Sequence, residues 1–537
     1  MFNQPYDYYP YSSKRSVQYA KNGMVATSSP LAAEAGLEIL RMGGNAIDSA
    51  IATAACLTVV EPTSNGIGGD AFALVWFNQK LHGLNASGFA PERMNIDNIH
   101  SKGLDTIPRF GLVPITVPGV PAAWASLNQK FGKLSLIDCL RPAIRYALEG
   151  YPVSEHVAKH WQNAFNIYLK HLIGNEFKPW FETFSFNQKA PLRGQIVKLP
   201  HHAKTLETIG LTNSDDFYQG QIADQIDAFS QKYNGFIRKS DLMKYKPLWV
   251  DPISINYKGY DIYEIPPNGQ GLIALQALNI IKGFDFSVKE DESTYHKQIE
   301  AIKLAFADGL SQISDPDFMK ISHHQLLSDT YAQLRRDMIT EHALEPTPFD
   351  FKDAGTVYLC TADHEGNMVS YIQSNYMGFG SGIVIPNTGI AMQNRGLNFS
   401  LETNHPNELK PFKRPYHTII PGFIMKDKQA IGPFGVMGGF MQPQGHLQVI
   451  MNLIDFKMNP QSAVDAPRWQ WVDHKKVIVE PSVSNEIIDA LIKRGHEVKI
   501  ESELSNFGRG QIILRNPETG VYTGGTEPRC DGHIALY

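Results

Sequence analysis

Cysteine is scarce in this chain. Cys56, Cys139, Cys360 and Cys530 are four in 537 residues, widely scattered and with no Cys-x-x-Cys pair. That excludes a disulfide framework and a cysteine zinc site, and it fits a reducing compartment. Charge of one sign is also lacking: 49 Lys and Arg stand against 54 Asp and Glu, for a net −5. Such a balance gives no basic footprint for nucleic acid. Long apolar runs are missing too. The most apolar early stretch, 46–60, is interrupted by Asp48, Ser49, Thr53 and Thr58, and it is shorter than the ~20 residues of a membrane span. The first nineteen residues, rich in Tyr and polar side chains, lack the basic-then-apolar order of a secretory signal. The expectation is a soluble cytoplasmic protein with no nucleic-acid or membrane partner.

Several catalytic signatures are absent as well. His201-His202 and His323-His324 are adjacent pairs, which diverge by about 100° on a helix, and they are read as surface or capping residues. No metal site and no cofactor are expected. There is no Gly-x-Ser-x-Gly elbow for an α/β-hydrolase triad. The block Gly378-Phe379-Gly380-Ser381-Gly382 lacks the Lys-Ser/Thr of a phosphate loop and runs into β-branched Ile383-Val384-Ile385.

What is present begins with Ser29-Pro30, a cap followed by proline at the first helical position, and ends that helix at Gly43-Gly44. A small-residue helix from Asn45 toward Val60, a tight loop over 64–70 and a strand over 71–76 follow. The stretch from Leu136 to Ser314 reads as mainly helical. Around Arg335 to Lys352 the composition turns charged and proline-bearing, as an exposed linker does. Two β-prone runs, 357–362 and 368–374, are joined by a turn containing Gly366. Helices early and hairpins late point to an α+β or a layered αββα arrangement, and periodicity does not choose between them.

The linker ends at Asp353-Ala354-Gly355, and Thr356 then opens a strand. A threonine hydroxyl is a poor nucleophile without a base beside it. Cleavage before Thr356 would free an α-amino group with a reference pKa of about 7.7–8, and Thr with its own N-terminal amine is a known activated pair. Gly355 would ease the strained backbone that an N-to-O acyl shift requires. Taken alone, Gly-Thr at a strand start is a commonplace structural feature.

Several distant segments together resemble the γ-glutamyltransferase (glutathione hydrolase) family over nearly the whole chain. They are Ile39 to Asp48, Tyr257-Lys258-Gly259-Tyr260, Pro266-Pro267, Asp315-Pro316-Asp317-Phe318, Thr356, Asp363 to Val369 and the 378–382 block. Lys413-Arg414-Pro415, Gly435 to Gly439 and Glu527-Pro528-Arg529 complete the set. The resemblance implies a four-layer αββα N-terminal-nucleophile hydrolase sandwich of α+β class, with a mainly helical extension. It implies one precursor that cuts itself into a large subunit, 1–355, and a small subunit, 356–537, together one intertwined fold. Thr356 would be the nucleophile, Ser374 its hydroxyl support, and the N–H groups of Gly438 and Gly439 the oxyanion hole.

The departures bear on substrate. Where the glutathione-cleaving members carry a carboxylate-gripping arginine, this chain has Asn85-Ala86-Ser87-Gly88-Phe89-Ala90-Pro91. Arg395 and Asn398 replace the glutamine and acid that hold the α-amino group. His417-Thr418 replaces a serine pair, and Tyr376 stands for an asparagine. These five are the expected substrate-binding set. The pattern resembles a subgroup of cytoplasmic γ-glutamyltransferase-like and cephalosporin-acylase-like proteins. Arg395 would either meet a substrate carboxylate as a bidentate pair or pair with a neighbouring acid. The expected partners are a small γ-glutamyl or glutaryl amide and a water or amino-acid acceptor, with the two subunits open to further dimerisation. A β-lactam side-chain acylase and an uncleaved, silent binding protein are the competing readings.

Overall fold

The computed structural model describes residues 15–345 and 355–537. Residues 1–14 and 346–354, which include the end of the proline-bearing linker, lie outside the described residues. Two seven-stranded antiparallel sheets dominate. The first runs, edge to edge, His533–Leu536, Gly23–Thr27, Gly355–Asp363, Met368–Tyr376, Asp70–Phe77, Lys80–Ala86 and Leu248–Val250. The second runs Gln18–Ala20, Tyr522–Thr526, Arg509–Arg515, Gln429–Met437, Gly422–Lys426, Tyr260–Glu264 and Ile253–Tyr257.

Strand alternation sorts the side chains. Along Gly355–Asp363, Tyr358, Cys360 and Ala362 enter the apolar layer shared with Phe423 and Ile513 of the second sheet. Val357 and Leu359 turn the other way, into the core formed with helix Ala46–Val60. That helix starts on a complete capping box, Asn45 with Asp48, and all fifteen of its residues are buried. Its alanine and threonine side chains suit a layer pressed between sheet and outer helices. The outer face of the second sheet is covered by helices that include Gly271–Ile281 and Met441–Ile454.

The helices expected at 30–41 and 46–60, the strand after the 64–70 loop and the hairpin at 357–374 all form. The stretch read as mainly helical is mainly helical but not wholly so. Leu248–Val250, Ile253–Tyr257 and Tyr260–Glu264 are strands within it, and they close one edge of each sheet. Ile253, Ile255 and Tyr257 are buried while Ser254 and Asn256 are exposed, so the period of two was present in the sequence. His202 is corrected as well. His201 is exposed, but His202 is buried on helix Pro200–Leu211, with its Nε2 3.0 Å from Thr58 Oγ1. All four cysteines are free and buried. Among the described residues no helix is long and apolar enough to cross a membrane.

Candidate active site

Thr356 lies at the start of the third strand of the first sheet, fully buried. By alternation it shares the inter-sheet side with Tyr358. Opposite it the register slips: Gly355 pairs with Tyr376 but Val357 with Gln373, so Ser374 and Asn375 both face Thr356. Such a bulge re-aims a side chain locally. It ends at Tyr376, whose φ of 75° is unusual for an aromatic residue.

The bulge brings Ser374 Oγ to the centre of a small network. It donates to the Gly355 carbonyl oxygen at 2.6 Å and accepts from the Thr356 hydroxyl at 3.3 Å. The Tyr376 N–H holds it at 2.8 Å, and Arg395 Nη2 reaches it at 3.3 Å. One hydroxyl therefore touches both the Thr356 hydroxyl and the carbonyl that precedes it. Gly355 is closely packed. A Cβ on it would meet Gly378 N at 3.1 Å and Ser64 Cα at 3.2 Å, so a side chain there would force the neighbouring backbone to shift slightly. Gly378, Gly380 and Gly382 all have positive φ, which accounts for their alternation in the sequence.

Behind Ser374 lies a buried charge cluster. Arg395, fully buried, donates from Nη1 to Thr418 Oγ1 at 2.8 Å, sits 4.3 Å from the Tyr376 ring centre and lies 3.9 Å from Asp70. Burial lowers its guanidinium pKa to about 10, partly offset by Asp70. Burial also raises the Asp70 carboxyl to about 7, against the opposing pull of Arg395 and the Gly88 N–H. His417 Nδ1 accepts from the Ile419 N–H at 3.3 Å, which leaves Nε2–H to donate to Asp70 at 3.1 Å. Burial and Arg395 hold this imidazole well below its usual pKa, and hence neutral.

The expected substrate set is thus only partly brought together. Tyr376, Arg395, His417 and Thr418 converge on Ser374 and Asp70. Asn398 stands apart, donating to the Tyr416 carbonyl at 3.0 Å. None of the five lines the cavity of about 510 Å3 that opens beside Gly355, Gly378 and Gly438. Gly438 and Gly439, with φ of 139° and 57°, turn the chain from strand Gln429–Met437 into helix Met441–Ile454. The positive end of that helix dipole faces the same region.

Sequence reading missed Asp70, Gln270 and Arg109. Gln270 Nε2 donates to the carbonyls of Thr418 at 2.5 Å and Gly439 at 2.8 Å, tying the two turns together. Only the last residue of the 64–70 loop, an acid opening an otherwise apolar strand, hinted at Asp70. One His/Glu cluster, His296, Glu300 and His496, also went unseen, because its members are up to 200 residues apart. The Lys303 ammonium donates to Glu300 there at 2.8 Å and already balances its charge.

The chain is similar to known proteins. A family model described as Gamma-glutamyltranspeptidase matches residues 32–537. The chain is 35% identical over 520 residues to the glutathione hydrolase-like YwrD proenzyme of Bacillus subtilis (strain 168), covering 95% of this chain and 97% of that one. It is 30% identical over 538 residues to the oxamate amidohydrolase proenzyme of Klebsiella pneumoniae subsp. pneumoniae, covering 97% and 100%. Among solved structures, a cephalosporin acylase from Bacillus halodurans matches with a TM-score of 0.97 and 58% identity, covering 100% of this chain and 99% of that one.

Proposed function

Since this chain belongs to the gamma-glutamyltranspeptidase family of enzymes, we propose that it is a self-processing threonine amidohydrolase acting on γ-glutamyl or glutaryl amides. Thr356 is the nucleophile, and the paired sheets with their covering helices are read as the four-layer αββα sandwich. The observation that carries this reading is the single hydroxyl of Ser374, bonded to both Thr356 Oγ1 and the Gly355 carbonyl oxygen.

In processing, Thr356 Oγ1 forms a bond to the Gly355 carbonyl carbon. Its proton passes to Ser374, and the Ser374 proton goes to the carbonyl oxygen. Collapse of the tetrahedral carbon breaks the Gly355–Thr356 C–N bond and returns a proton to nitrogen, leaving an ester. Water then hydrolyses that ester to a large subunit, 1–355, and a small subunit, 356–537. The freed α-amino group becomes the base for the same oxygen in turnover. Gly438 and Gly439, at the start of a buried helix, supply N–H groups for the oxyanion, where one donor is typically worth ~10²–10³ in turnover. Arg395 acts as a positioning residue, holding Ser374 and Thr418 from behind.

On a denaturing gel the 60.0 kDa chain is expected to resolve into two fragments, the smaller beginning Thr356-Val357-Tyr358. Thr356→Ala is expected to remain one inactive band, and two bands from that variant would move the cleavage site elsewhere. The 58% identity to a cephalosporin acylase favours side-chain acylase activity as the second reading. Rates on γ-glutamyl and glutaryl p-nitroanilide separate the two.

A further inference from the structure

The cavity beside Gly355 has an unbalanced charge inventory. Among its lining residues, Arg509 is paired with Glu61 at 3.0 Å and bonded to His160 Nε2 at 3.0 Å. Burial and Arg509 push His160 down to about 3, so it carries no charge at neutral pH. The acids on the wall are also matched: Glu503 binds Lys159 at 2.6 Å, and Glu501 binds Lys499 at 3.1 Å. Arg109 is different. Its guanidinium makes no hydrogen bond or ion pair among the described residues, and its Nε is buried without a partner. Its guanidinium carbon lies 5.1 Å from the Phe110 ring centre.

Arg109 is nevertheless held firmly in place. Its carbonyl oxygen accepts from Asn394 Nδ2 at 3.0 Å, and the Gly111 N–H donates to Ser381 O at 2.9 Å. Phe110 packs edge-on to Tyr168, whose hydroxyl donates to Gly380 O at 3.1 Å. The loop is thereby clamped to the glycine turn at 378–382, which itself presses against Gly355. Leaving a buried guanidinium N–H unsatisfied costs free energy, and a cation on a cavity wall recovers that cost when an anion arrives. Gly355 supplies the acyl half of the bond before Thr356, so the cavity it lines opens on the acyl side.

We propose that Arg109 is the specificity-determining residue that binds a free carboxylate at the far end of the substrate's acyl chain, which makes dicarboxylic-acid monoamides the preferred substrates. This rests on the amidohydrolase reading above. It also gives Arg395, fully buried and already bonded to Thr418 and Ser374, no part in that contact.

The test compares glutaryl p-nitroanilide with valeryl p-nitroanilide, which has the same chain length and no terminal carboxylate. Processed wild type, Arg109→Gln and Arg109→Lys are used, each checked for two fragments and wild-type circular dichroism. Losing a charge-assisted hydrogen bond is expected to raise KM for the glutaryl substrate in Arg109→Gln by about 10- to 100-fold. The valeryl substrate is expected to change less than about twofold, and Arg109→Lys to recover part of the loss. Equal losses on both substrates, or an unchanged glutaryl KM, overturn the proposal. If wild type cuts itself but turns over neither anilide, the amidohydrolase reading fails while the Arg109 site remains testable by glutarate titration. Glutarate binding to wild type and not to Arg109→Gln then supports the site, and equal binding overturns it.

Discussion

At the scale of single residues, the site is governed by what burial does to charge. Asp70, Arg395 and His417 have no exposed side-chain surface, yet they sit directly behind Ser374. Asp70 holds its proton more tightly in the folded protein, with a pKa raised from 3.8 to about 7, chiefly by burial. A raised carboxyl pKa contributes stability that is complete below pH ~4 and is lost as pH rises through about 7. Asp70→Asn is therefore expected to flatten the dependence of Tm on pH between 4 and 7. A slope equal to that of wild type would assign the dependence to another group.

Among elements, the segment that follows helix Asp329–Arg336 shows how an exposed stretch is tied down. Helix Asp329–Arg336 ends, and residues 337–345 follow without regular structure. Their backbone is caught by helix Glu292–Gln312 and by the end of helix Asn485–Lys493. Glu300 accepts the Leu344 N–H at 2.8 Å, Lys303 donates to Leu344 O at 2.9 Å, and His296 Nε2 meets Thr340 O at 2.8 Å. The charged composition indicated an exposed stretch, and the tether was invisible because Arg494 and helix 292–312 are distant from it in sequence. Glu300→Ala strands the buried Lys303 ammonium and the Leu344 N–H. It is expected to cost roughly 3–5 kcal/mol, the range for breaking a buried pair, read from urea unfolding. A loss below about 1 kcal/mol would show that water reaches the cluster.

For the whole molecule, the strand order interleaves the two sides of Thr356. Strand Gly355–Asp363 lies between Gly23–Thr27 and Met368–Tyr376, and the latter pairs with Asp70–Phe77. In the second sheet Tyr522–Thr526 pairs with Gln18–Ala20, and Gly422–Lys426 with Tyr260–Glu264. Fragments cut at 355/356 would share both sheets and the apolar layer between them. They are expected to co-elute in gel filtration and to unfold in one transition, since parting them breaks the core. Separation of the fragments without denaturant would contradict this strand order.

The sequence alone determined the local elements and singled out the junction before Thr356. Ser29-Pro30, the Asn45/Asp48 box and the turn at Gly366 are signals confined to a few residues, and they fold as short-range chemistry requires. The order of motifs from Ile39 to Arg529 pointed to the family because each is a contiguous string. Only the tertiary structure decided who surrounds Thr356. The two-residue bulge at Ser374-Asn375 and the buried Asp70–His417–Arg395 cluster join groups up to 347 positions apart. Burial, and with it every pKa shift in the site, is a property of that packing rather than of any stretch of chain.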